Sequence, residues 1–267
     1  MYPMKKLLTL TLLFCAIFAS AMYGQNKPLY ANVAFHKLKP GHTLDEAIAI
    51  EKKWKTIHKI RKDAGLISGW SVYTIVNGYK TPSIDWDYIS VNLSSDLNTI
   101  GQYPMDKYAA LVAKDLSFAT IGEETAKVQS ISYNAIVKLI DGTASSNDLN
   151  SVISMEIFKT SIPNYFNYME FEKQMKNIHQ DRINAGEIQE WSFWQTVSPL
   201  ADDSKGQFTA FTFFKDLAHV DAPNNTTIES VKKRMNLSPD QFLKKIDGLR
   251  NMTQNCLVQY AVGTWNE

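Results

Sequence analysis

The sequence predicts an α+β chain made of two tandem β-α-β-β-α-β units. Three observations predict it: an internal repeat, a strand and helix pattern that runs the same way through both copies, and a polar stretch of turn formers between them. Sliding the chain on itself lays EKKWKTIHKIRKDAGLISGWSVYTIV (51–76) over EKQMKNIHQDRINAGEIQEWSFWQTV (172–197) without a gap, at an offset of 121 residues. Glu51/Glu172, His58/His179, Arg61/Arg182, Gly65/Gly186 and Trp70/Trp191 are among the identities. The match continues outward, with FHKLKPG (35–41) over FKTSIPN (158–164). Copies of that length read as half-domains that bury their apolar faces on each other. The expected organisation is a signal segment over 1–24, a first repeat over 27–140, the linker DGTASSNDLN over 141–150 and a second repeat over 151–267.

Taken in order, residues 30–38 alternate as a strand, and TLDE (43–46) is a capping box that opens a helix running to Gly65. Gly65 and Gly186 suit the left-handed position that ends a helix. Residues 67–76 and 86–93 alternate with period two, as strands do. A helical region follows over 103–126, and 128–138 closes the unit as a fourth strand. In the second copy Ser238 and Pro239 supply the N-cap and first residue of the last helix, before a strand over 253–262. This is the ferredoxin-like plan, four antiparallel strands with two helices on one face. The bare face of each sheet needs cover, and the sister repeat supplies it, sheet facing sheet, as one barrel with helices outside.

A tandem pair of such units resembles the dimeric α/β-barrel superfamily, which includes antibiotic-biosynthesis-type monooxygenases, EthD-like proteins and chlorite dismutase-like haem proteins. The resemblance is one of topology and covers nearly all of the chain after the N-terminal segment. No catalytic motif of those families occurs here, so none of their functional residues carries over. The nearest picture is an exported bacterial member forming a pseudo-dimer within one chain.

The N-terminus has Lys5 and Lys6, an apolar run from Leu7 to Phe18, then Ala19, Ser20 and Ala21, the layout of a secretory signal peptide. The run is too short to span a bilayer. Phe14 stands before Cys15 where a lipid-modified signal needs a small residue, so cleavage without acylation is expected between 22 and 25. The remaining chain carries 26 basic and 27 acidic side chains, a net charge of −1, which excludes broad attraction to nucleic acid or an anionic membrane. It also leaves Cys256 as the sole cysteine, so no internal disulfide forms even in the expected periplasmic or extracellular setting.

On a helical wheel Ile50, Trp54, Ile57, Arg61 and Ala64 share a side, matched by Phe171, Met175, Ile178, Arg182 and Ala185. An arginine on an apolar stripe must reach water or find a carboxylate or free carbonyls. His58, Arg61, His179 and Arg182 are therefore expected as helix-end scaffold, since cations in a last turn favour the helix dipole and duplication copies scaffold as readily as a site. No cofactor is expected; haem is the alternative, with one histidine on iron and an arginine polarising the opposite side. His36, His42, His58, His179 and His219 show no zinc-type spacing. Cys256, inside an alternating strand, reads as an inert buried thiol.

Period-two alternation assigns Trp70, Val72, Ile89, Val91 and Leu93 to the helix side, with Ser71, Tyr73, Tyr88, Ser90 and Asn92 inside the barrel. In the second copy Ser192, Trp194, Thr196, Phe208, Ala210 and Thr212 fall inside by the same rule. Tyr73, Tyr88, Asn92, Trp194 and Thr212 become candidate lining for a small, largely apolar ligand, or part of a filled core, since small barrels are commonly plugged by their own side chains. Three functions follow: a small-molecule binder, a cofactor-independent monooxygenase-like enzyme, or a non-enzymatic interaction protein with a filled barrel that meets its partner through 200–206 and 218–230. Assembly is expected as a monomeric pseudo-dimer or weak homo-oligomer.

Overall fold

The computed structural model describes residues 27–144, 148–199, 206–222 and 225–265. The signal segment with Cys15, and most of 200–206, lie outside the described residues. The first half supplies β1 (Tyr30–Leu38), β2 (Gly69–Lys80), β3 (Tyr88–Ser94) and β4 (Gln129–Gly142). The second supplies β5 (Val152–Lys159), β6 (Glu190–Ser198), β7 (Phe208–Phe214) and β8 (Asn251–Gly263). All pair antiparallel and close into one barrel in the order β1-β3-β2-β8-β5-β7-β6-β4. Two seams, β2 with β8 and β4 with β6, join the halves, and closure leaves no free sheet edge among the described residues.

Helices pack outside: α1 (Leu44–Asp63), α2 (Met105–Lys114) and α3 (Ser117–Val128) in the first half. In the second half they are α4 (Tyr165–Asn184), the single turn α5 (Leu217–Val220), α6 (Asn225–Met235) and α7 (Pro239–Leu249). Local chemistry sets their ends. Thr43 caps α1 through both bonds of a capping box with Glu46, and Ser238 does the same for α7 with Gln241. Gly65 (φ 72°) and Gly186 (φ 76°) turn the chain left-handed, which lets Leu66 N–H donate to Arg61 O at 3.0 Å and Glu187 N–H to Arg182 O at 2.9 Å. The helical stretch expected over 103–126 is two helices, because Asp115 is extended and its Oδ1 accepts from Ser117 N–H, starting a new one. β4 runs on to Gly142, opposite Ser192 of β6, so the segment expected as linker begins inside the sheet.

The barrel interior is solid. Phe35, Ile89, Val137, Met155, Trp194 and Val258 form its core together with Ile84 and Trp86 from the β2–β3 connection. What remains beside Tyr133 and Phe211 is a void of about 20 Å³, about the room one water needs. The expected inside and outside faces hold for β2 and β6 and are reversed for β3 and β7. Direct partners across an antiparallel ladder project to the same side. Trp70 pairs with Asn92 and Val72 with Ser90, while Trp191 pairs with Thr212 and Phe193 with Ala210. Tyr88, Ser90, Asn92, Phe208, Ala210 and Thr212 therefore face the helices, and Ile89, Val91, Leu93, Phe211 and Phe213 fill the barrel.

Candidate functional site

The C-terminal turns of α1 and α4 carry the same residues into different surroundings. In the first half Arg61 is 1% exposed. Its Nε donates to Gln102 O at 2.9 Å, one Nη to Asn92 Oδ1 at 2.9 Å and to His58 Nδ1 at 3.0 Å, and the other Nη to Ile100 O. The Tyr103 ring lies 4.3 Å from the guanidinium carbon. His58 stacks on Trp70 at 4.5 Å, and burial, then the Arg61 charge, push its pKa down to about 3. A guanidinium only donates, so the neutral ring accepts at Nδ1. Glu51 accepts from Tyr88 Oη at 2.7 Å and Gln129 Nε2 at 3.2 Å, and burial raises its pKa. The Arg61 guanidinium is enclosed by these partners, which run from buried Ile100 to Gln102 and Tyr103 at the surface.

In the second half Arg182 Nε donates to Glu187 Oε2 at 3.4 Å and its Nη1 to His179 Nδ1 at 3.4 Å. His179 stacks on Trp191 at 4.6 Å, and burial, then Arg182, push its pKa down to about 3. Glu172, the counterpart of Glu51, accepts from Arg250 at 3.2 Å, and Arg250 also donates to Tyr168 Oη at 3.0 Å while lying 3.7 Å over the Phe158 ring. Register matches the remaining positions. Thr212 stands where Asn92 does, Ser154 where Asn32 does, Glu156 where Ala34 does and Phe158 where His36 does. Val220 of α5 and Thr227 of α6 cover this end of α4. α6 is stapled to α4 by Arg234 and Ser230 on Asp181, and to the turn that follows α4 by Thr226 N–H on Glu187 Oε1.

The result is a cavity of about 350 Å³ between sheet and helices. Its polar walls are Ser154, Glu156, Glu172, His179, Arg182, Thr212, Thr227 and Arg250; Phe171, Met175, Trp191, Phe214 and Ile246 supply the apolar ones. Glu156 is partly exposed, and the surface it exposes opens on this space; desolvation there raises its pKa, with Arg250 and Arg182 pulling the other way. Burial likewise raises the pKa of Glu172. Thr227 Oγ1 is buried without a partner among the described residues. The arrangement can hold a small molecule with an apolar body and polar ends, and can keep a carboxyl protonated for exchange with it.

Of the residues expected to line a barrel pocket, Tyr73 and Trp194 do sit in the barrel, within the filled core. Tyr88, Asn92 and Thr212 lie on the other face. Tyr88 serves Glu51, Asn92 serves Arg61, and Thr212 lines the cavity under α4. His58 and Arg61 are packed away, while His179 and Arg182 are cavity walls. Cys256 is buried in the barrel, where burial pushes its thiol up to about 12. Sequence reasoning passed over Glu156, Glu172 and Arg250. The Glu51/Glu172 identity and the lone charge in ISMEIF (153–158) were available signals; nothing local marked Arg250.

No protein-family model matches the chain, and no curated protein matches it. Solved structures do share the fold. A presumed monooxygenase of Fusobacterium nucleatum is 9% identical, with 91% of this chain and 96% of that one covered at a TM-score of 0.51. A chlorite dismutase variant of Candidatus Nitrospira defluvii is 8% identical, with 89% and 94% covered at 0.51. The likeness is one of fold: an antiparallel eight-stranded closed barrel with outer helices, as in dimeric α/β-barrel proteins.

Proposed function

We propose that this chain is an exported small-molecule-binding protein, built by tandem duplication of a ferredoxin-like unit, whose ligand sits between sheet and helices of the second half. The observation that carries the reading is the contrast between the packed surroundings of Arg61 and the cavity of about 350 Å³ beside Arg182. A solid barrel by itself would favour a pure interaction protein; the cavity lies elsewhere and is within the size range of ligand sites. Export is supported by the order of Lys5 and Lys6, apolar run and small residues. Closure of the barrel within one chain supports a monomer as the binding unit. The test is native mass spectrometry and ligand-observed NMR on the mature chain and on Thr212→Trp, which fills the cavity. Binding that disappears in the variant supports the site; binding that persists places the ligand elsewhere.

A second reading, a cofactor-independent monooxygenase-like enzyme, is favoured by one feature, the desolvated Glu156 carboxyl facing the cavity, because such a group is poised to take a proton from a bound substrate. It requires oxygen uptake with a turned-over substrate that is lost in Glu156→Gln. Haem fits the site poorly. His179 Nδ1 accepts from Arg182, so that tautomer carries its proton on Nε2 and has no lone pair to give to iron. Among the described residues no group of three or more His, Cys, Asp or Glu is placed to hold a metal ion. Hemin added to the purified chain should keep the absorption spectrum of unligated hemin; a ligated-iron spectrum lost in His179→Ala would reverse this.

A further inference from the structure

The charges around the cavity do not balance. Two guanidiniums, Arg182 and Arg250, meet three carboxyls, Glu156, Glu172 and Glu187. Arg250 is engaged by Glu172, with Tyr168 on the same nitrogen. Arg182 is engaged by Glu187, whose other oxygen accepts from Thr226 N–H. Glu156 is left over. Among the described residues its carboxyl has no hydrogen-bond partner, although it is the one acidic side chain of β5 and opens on the cavity. The first half avoids the problem, since Ala34 holds the matching position and Glu51 has both Tyr88 and Gln129. A desolvated carboxyl that has no hydrogen-bond partner, only the charges of Arg250 and Arg182 at longer range, is costly to a fold unless something meets it.

Resting on the cavity being the ligand site, we infer that it takes an organic cation, a primary ammonium or amidinium on an apolar body, whose charged end meets the Glu156 carboxylate. The groups facing Glu156 agree. From α4 come Glu172, a second acceptor, His179, held neutral and so not repelling a cation, and Arg182, already committed to Glu187. From the end of α7 comes Arg250, already committed to Glu172. Ser154, Thr212 and Thr227 offer hydroxyl acceptors for further N–H groups, and Phe171, Trp191 and Phe214 offer ring surface to the apolar body and the charge. An anionic ligand would instead face Glu156 and Glu172 with both guanidiniums spoken for. Burial keeps Glu156 protonated further up the pH scale in the free protein, so docking a cation releases a proton.

The test uses phenethylammonium, 2-phenylethanol and 3-phenylpropionate as matched probes on the mature chain, by NMR and by calorimetry in buffers of different ionisation enthalpy. The ammonium should bind about tenfold tighter than the other two, with proton release. Glu156→Gln and Glu156→Ala should lose about tenfold of ammonium binding and keep that of the alcohol; alanine is what the first half carries there, so the variant should fold. Equal or tighter binding of the alcohol or the carboxylate, or ammonium binding unchanged in Glu156→Gln, overturns the inference. If the alcohol binds and Thr212→Trp abolishes it while the ammonium does not bind, the cavity stands as a site and only the cation is wrong. If no probe binds, or Thr212→Trp changes none of them, the site reading falls too.

Discussion

At the end of α1, Arg61 is wrapped by the carbonyls of Ile100 and Gln102 and by Asn92; at the end of α4, Arg182 leans on Glu187 beside a cavity of about 350 Å³. Both ends keep the stacked His on Trp, the Arg to His bond and the glycine turn. The shared motif therefore fixes a helix end, and the residues around it decide whether that end is scaffold or site. Three exchanges accompany the difference: Asn92 for Thr212, Ala34 for Glu156 and Gln129 for Arg250.

The largest expected effect breaks the first half alone. Arg61→Ala strands the buried Ile100 carbonyl, His58 Nδ1 and Asn92 Oδ1 and frees the Gln102 carbonyl, and should cost about 3 to 5 kcal/mol in urea unfolding. Arg182→Ala should cost less, about 1 to 2 kcal/mol, because its bonds to Glu187 and His179 are both 3.4 Å long and a cavity adjoins it. The second variant should instead change ligand binding. Similar stability losses in both would mean the two ends are energetically alike.

The fold was legible where chemistry is local. Capping signals at Thr43 and Ser238, the glycine turns and the period-two strands stand in the sequence itself. Registration between strands does not: alternation sorts Ile89 from Tyr88 but leaves open which of them shares a face with Trp70. That phase is set by pairing across the ladder, and its misassignment moved Tyr88, Asn92 and Thr212 to the wrong side of the sheet. The site was legible only in part for a related reason. His179 and Arg182 were visible as repeats, whereas Glu156 and Arg250 reach the cavity from β5 and the end of α7, brought together only by closure of the sheet.

A smaller effect sharpens the comparison through pH. His36 stacks on Tyr88 at 4.4 Å, its Nε2 shares a hydrogen bond with Ser90 at 2.9 Å, and burial pushes its pKa down to about 4. A histidine with a depressed folded pKa contributes stability that is complete above its unfolded value near 6.5 and is lost as pH falls toward 4. Its share of the acid limb should be about 2 to 3 kcal/mol. Phe158 fills the matching position in the second half, so His36→Phe should fold and flatten that limb, read as urea unfolding at pH 7 and pH 4.5. The buried carboxyls act oppositely. With raised folded pKa values, Glu51, Glu156 and Glu172 favour the native state at acid pH and lose that advantage as pH rises. Glu156→Gln should therefore gain stability over the unmutated chain at pH 8 and not at pH 4; an equal change at both would show that Glu156 is not desolvated.

One pair of substitutions measures solid against hollow without removing a hydrogen bond or a charge. Ala34 and Ala210 are both buried alanines on the helix-facing side of the sheet, Ala34 in the packed half and Ala210 on the cavity wall. Ala34→Leu should overpack and lose about 1 to 2 kcal/mol of unfolding free energy, while Ala210→Leu should change it by less than about 0.5 kcal/mol as the added carbons enter the cavity. Equal losses at the two positions, or the larger loss at Ala210, would contradict the account.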